Sequence, residues 1–133
     1  MLSRRALFGL SLAVATAFSA ALPGLAAAFT PLPYEAGAVE KAIKSGKPVV
    51  VHVYASWCLQ CRAQASILKR LSTAGRYDDI TFFEVDYDSQ KDVVKALGVP
   101  RSTFITFRDG KETGRMSWGT SEASVIAVLD AAG

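Results

Sequence analysis

The chain has 133 residues, enough for one domain with a sizeable core but not for two. Half of them are hydrophobic, 15 lysines and arginines face 12 acidic residues, and there are only two cysteines and one histidine. This composition excludes a disulfide-rich scaffold and a four-ligand Cys/His zinc site, and no phosphate loop or Ser/His/Asp arrangement is present.

The first segment reads as an export signal. Arg4 and Arg5 give it a positive start, and residues 6–34 carry no charged side chain. Pro23-Gly24 interrupts the apolar run, and Ala26-Ala27-Ala28 supplies a small-x-small cleavage pattern. The expected cut follows Ala28, leaving residues 29–133 as the mature domain. The paired arginines followed by Leu7 and Phe8 also fit the twin-arginine export pattern. Either route leads out of the cytoplasm, to a periplasm in a bacterium. Only an uncleaved segment would hold the protein at a membrane. Removing the segment leaves 13 basic against 12 acidic residues. That balance excludes nucleic acid as an expected partner.

The mature part begins with a short helix over Tyr34–Gly46, stopped by Gly46. Lys47–Ala55 is a near-continuous apolar, β-branched run bounded by Lys47-Pro48, the pattern of a strand buried on both faces. From Cys58 to Ala74 the spacing turns helical, with Cys61, Ala65, Leu68 and Leu71 on one stripe. Ile80–Asp88 is a second strand, followed by a helix over Ser89–Gly98 with Ser89 as its predicted N-cap. Ser102–Ser117 is a hairpin turning at Asp109-Gly110, and Ser121–Ala132 is a closing helix capped by Ser121. The order α-β-α-β-α-β-β-α calls for an α/β fold: one central mixed sheet with helices on both faces.

Cys58 and Cys61 stand three apart, just after the first long strand. As a structural staple they would close a very small loop and constrain little. A haem attachment site would need histidine after Cys61, where Arg62 stands. Two soft thiolates suit copper(I), which remains open as an alternative function. Geometry favours a redox couple, because a sulfur at a helix N-terminus meets free N–H groups and the positive end of the helix dipole.

Trp57-Cys58-x-x-Cys61 after a hydrophobic strand, the order of elements and the hairpin Thr103–Glu112 together resemble the thioredoxin family over residues 34–132. The resemblance implies a thioredoxin-like fold and an enzyme that exchanges protein thiols and disulfides, working as a monomer without cofactor or metal. It implies that Cys58 is the exposed attacking thiol and Cys61 the partly buried resolving one. A redox-inactive interaction domain on the same fold is the remaining alternative.

Three positions depart from the family pattern. Where thioredoxins carry a buried aspartate this chain has His52, and the family's lysine on the next strand falls at Glu84. The pair either moves protons to the resolving thiol or forms a core contact, His52 bonding Glu84 or a carbonyl. Ser102 takes the slot of the cis-proline before Thr103, Pro100 standing two residues earlier. A trans Arg101–Ser102 bond is expected, bringing an N–H and a hydroxyl near the sulfurs. Trp57, Ser102 and Thr103 are the substrate-facing candidates. Third, Leu59-Gln60 between the cysteines supplies no cation. Family potentials run from about −270 mV to about −120 mV, and the absence of a cation in the motif points to a reductant.

Overall fold

The computed structural model describes residues 29–133, so the expected export signal and its cut lie outside the described residues. The elements are β1 (Leu32–Pro33), α1 (Ala36–Lys44), β2 (Val49–Tyr54), α2 (Leu59–Thr73), β3 (Thr81–Asp86), α3 (Lys91–Leu97), β4 (Thr103–Arg108), β5 (Lys111–Ser117) and α4 (Glu122–Asp130). They form one mixed sheet in the order β1-β3-β2-β4-β5. β2 runs parallel to β3 and antiparallel to β4, and the β4–β5 hairpin closes one edge.

β2 can be the central strand because its valines need no water and its one buried polar side chain, His52, is hydrogen-bonded within the protein. Val49, Val50, Val51 and Val53 are all buried, and β-branched side chains suit a pleated surface covered on both sides. Alternation then divides the core. Val50 joins Phe82 and Phe104 against Leu68 of α2 and Leu129 of α4. Val49, Val51 and Val53 join Phe83 and Ile105 against Val39 of α1 and Val94 of α3. Each such side chain contributes roughly 1.5–3 kcal/mol by leaving water. Helices therefore cover both faces, as the sequence pattern requires.

Asp109 and Gly110 make the hairpin turn with φ of 53° and 79°, the left-handed pair that a two-residue turn demands. Two local expectations need correction. The N-cap of α3 is Gln90, not Ser89. Asp86 Oδ1 accepts from the N–H groups of Asp88 and Ser89, which turns the chain before the helix can start. The edge strand β1, which pairs in parallel with β3 through Leu32 and Pro33, was not expected. Proline is tolerated there because β1 lies at the sheet edge.

Candidate functional site

β2 ends at Tyr54 and α2 begins at Leu59, so the chain reverses in four residues and leaves Cys58 as the N-cap of α2. Cys58 Sγ accepts a hydrogen bond from Cys61 N at 3.2 Å. The two sulfurs lie 2.6 Å apart, with Cys61 Sγ also 3.9 Å from Val53 O. Both cysteines are free in this structure.

The resemblance implies an exposed Cys58, but that residue is only 2% exposed and Cys61 is fully buried. Tyr54 and Tyr87 pack against the pair, and the Arg101 guanidinium lies beside Cys58. The electrostatics separate the two thiols. Burial pushes Cys58 up, but the hydrogen bonds from Cys61 and the Arg101 cation outweigh it and hold the thiol below its ordinary value. Burial raises Cys61, and the charge on Cys58 raises it further.

Ser102 is buried and trans, as expected at this position, with φ at 59°. Its N–H does not serve the sulfurs, because it donates to Val53 O at 2.9 Å. Its hydroxyl lies beside Cys61 and favours the thiolate there. Thr103 opens β4, but its hydroxyl donates inward to Pro100 O at 2.9 Å and pairs with Ser117 Oγ at 2.7 Å. It presents no hydroxyl to a partner. Trp57 is exposed and anchors its indole N–H on Asp88 Oδ2 at 2.9 Å.

His52 stands opposite Glu84 in the parallel β2–β3 register, yet no hydrogen bond joins them. The imidazole is turned to Gln64 of α2 instead, with Nε2 2.9 Å from Oε1, and it stacks on Phe104. Gln64 Nε2 donates to Ser102 O at 3.1 Å and to Gly119 O at 2.8 Å. The amide's orientation is thus settled by two carbonyls, and His52 Nε2 must carry the proton that meets Oε1. Burial lowers the His52 pKa to about 4, so the ring is neutral at neutral pH. Glu84 is half-buried, its carboxyl pushed up by burial and by Asp86. It lines a cavity of about 140 Å³ together with His52, Phe29 and Lys69.

Sequence reasoning missed two residues here. Gln64 lies one turn beyond Cys61 on the inward stripe of α2, and a polar residue in that stripe is the signal that marks it. Arg101 had no signal of its own, because only the fold brings it to Cys58. Arg62, a cation inside the sequence neighbourhood of the motif, is exposed on α2.

The Thioredoxin family model matches residues 33–131. A thioredoxin of Aspergillus fumigatus is 35% identical over 90 residues, covering 67% of this chain and 82% of that protein. A protein disulfide-isomerase of Neurospora crassa is 37% identical over 71 residues, covering 52% of this chain and 19% of that protein. Among solved structures, the Trxlp protein of Edwardsiella tarda superposes with a TM-score of 0.66 at 33% identity, covering 77% of this chain and 98% of that one.

Proposed function

Because this chain belongs to the thioredoxin family and is a thiol–disulfide oxidoreductase, we propose that it acts outside the cytoplasm as a monomeric reductant of protein disulfides. The observation that carries the division of labour is the place of the two sulfurs at the N-terminus of α2: Cys58 is its N-cap and accepts the Cys61 N–H at 3.2 Å, whereas Cys61 lies one turn in and is fully buried. Cys58 thiolate attacks one sulfur of a partner's disulfide. That disulfide breaks, its other sulfur leaves as thiolate, and a mixed disulfide forms on Cys58. Cys61 then gives up its proton and attacks Cys58 Sγ at short range, which releases the partner's second thiolate and leaves the Cys58–Cys61 disulfide. Two electrons have passed to the partner.

His52 supports this cycle as a neutral, buried group that orients Gln64, and through it the Ser102 and Gly119 carbonyls of the loops that carry Arg101 and Trp118. Export is supported by Arg4-Arg5, the uncharged stretch 6–34 and the Ala26-Ala27-Ala28 pattern. Reduction as the working direction is supported by the likeness to thioredoxins.

Insulin-disulfide reduction tests the chemistry. The wild type should turn over, Cys58→Ser should abolish turnover, and Cys61→Ser should accumulate the mixed disulfide. Turnover by Cys58→Ser would refute the assignment. Equilibration of the couple against glutathione tests the direction, a potential near that of the strong oxidants overturning it. Mass measurement of the protein recovered from a bacterial periplasm tests the cut after Ala28.

A further inference from the structure

Arg101 is held in an unusual way. Its guanidinium carbon lies 4.8 Å from the Trp57 ring centroid and 4.9 Å from that of Trp118, so the cation sits between two aromatic faces. The two rings come from distant parts of the chain. Trp57 precedes α2 and is tied to Asp88 through its indole N–H. Trp118 follows β5, with φ at 68° and its backbone N–H on Ser102 O at 2.8 Å. None of the ion pairs among the described residues includes Arg101. Its Nε is nevertheless buried and has no hydrogen-bond acceptor. A buried donor left unpaired costs free energy, more so when it is charged. Ser102 Oγ, beside Cys61, is likewise buried and unpartnered. The two residues beside the sulfurs, Arg101 at Cys58 and Ser102 at Cys61, therefore each carry a buried polar atom without a partner.

We propose that Arg101 is the electrostatic partner of Cys58, a cation clamped between Trp57 and Trp118 whose unpaired Nε–H is satisfied when that sulfur carries negative charge. The inference rests on Cys58 being the attacking thiol. The groups that face Cys58 are Cys61 from α2, Tyr54 from β2, Tyr87 from the loop after β3, Asp88 behind Trp57 and Arg101 before β4. Only Arg101 among them is cationic, and its planar guanidinium suits a place between two aromatic faces. Because the thiolate belongs to the reduced state, the clamp favours that state and raises the reduction potential above what the same fold would have without it. It thereby offsets the lack of a cation inside the Leu59-Gln60 dipeptide.

The test uses the full-length chain with Arg101→Met, which keeps side-chain length and removes the charge, and Arg101→Lys, which restores it. Cys58 ionisation is followed by thiolate absorbance and iodoacetamide labelling against pH, and the couple is equilibrated with glutathione. Arg101→Met should lower Cys58 labelling at pH 6 about tenfold and shift the exchange equilibrium about tenfold towards the disulfide, which is about 30 mV more reducing. Arg101→Lys should recover most of both. Trp118→Leu, which keeps the cation but opens the clamp, should fall between. Identical profiles for wild type and Arg101→Met would overturn the inference. Should Arg101→Met fail to fold, Arg101→Gln against Arg101→Lys reads the same charge difference. Insulin reduction by Cys58→Ser would instead overturn the underlying assignment, so the two failures are distinguishable.

Discussion

Gln64 and His52, on α2 and β2, share a buried hydrogen bond of 2.9 Å, and the same glutamine amide holds the carbonyls of Ser102 and Gly119. One side chain thus ties the central strand and the redox helix to the two loops that carry Arg101 and Trp118. Gln64→Leu keeps the volume but leaves the His52 N–H and the Gly119 carbonyl without their partner. Each buried polar group left unpaired costs about 1–3 kcal/mol. A loss of roughly 2–4 kcal/mol in urea unfolding is expected on that basis. A loss below about 0.5 kcal/mol, the level of an ordinary surface change, would show that the network does not hold the site together.

His52 also predicts a pH dependence of stability. Its folded pKa is lowered to about 4 from the ordinary 6.5, so between those values the unfolded chain binds the extra proton. Stability from this group is fully present above pH 6.5 and declines as pH falls towards 4. The contribution is on the order of 3 kcal/mol, at 1.36 kcal/mol per unit. Glu84, whose carboxyl is raised by burial, acts with the opposite sign, because the folded state holds its proton longer. Comparing wild type with His52→Gln isolates the histidine. The wild type should lose more stability than the variant between pH 7 and pH 4.5; parallel curves would refute the buried neutral ring.

Much of this fold is legible in the sequence because its signals are local. The valine run of β2, the glycine stop after α1 and the Asp109-Gly110 turn each encode their own geometry. β1 is not legible, since two residues, one of them proline, carry no periodicity. The Cys58 position was legible too, because a strand running into a helix dictates an N-cap. What surrounds the sulfurs was not. Arg101, Trp118 and Gln64 reach the site through β-sheet pairing and helix packing, and His52 chooses Gln64 over its register neighbour Glu84 because the glutamine lies above it on α2. No cation stands between the cysteines, yet Arg101 brings one to Cys58 from the loop before β4.

The two cysteines should label at different pH. Cys58 is held below the ordinary thiol value and Cys61 above it, and the thiolate is the reactive form. Reduced protein treated with iodoacetamide at pH 7 should take up one equivalent, on Cys58, with Cys61 labelled only at alkaline pH. Peptide mass analysis reads both sites. Equal labelling at pH 7 would contradict the asymmetry that directs the catalytic cycle.

Ser102 shows why the family's proline cannot simply be put back. The residue sits at φ 59°, and its N–H donates to Val53 O at 2.9 Å. Proline is locked near −65° and has no N–H, so Ser102→Pro meets a backbone of the wrong sign and loses a bond that joins this loop to the central strand. A destabilisation of about 3 kcal/mol or more is expected in urea unfolding. Ser102→Gly tests the backbone alone. Glycine adopts the left-handed region freely and keeps the N–H, but its unfolded chain has more freedom to lose, and the two effects are each about 1 kcal/mol. The glycine variant should therefore remain within about 1 kcal/mol of the wild type. Its Cys61, without the Ser102 hydroxyl that favours the thiolate, should release mixed disulfides more slowly at neutral pH. A proline variant as stable as the glycine variant would mean that the loop tolerates the opposite φ and that the Ser102–Val53 bond contributes nothing to the site.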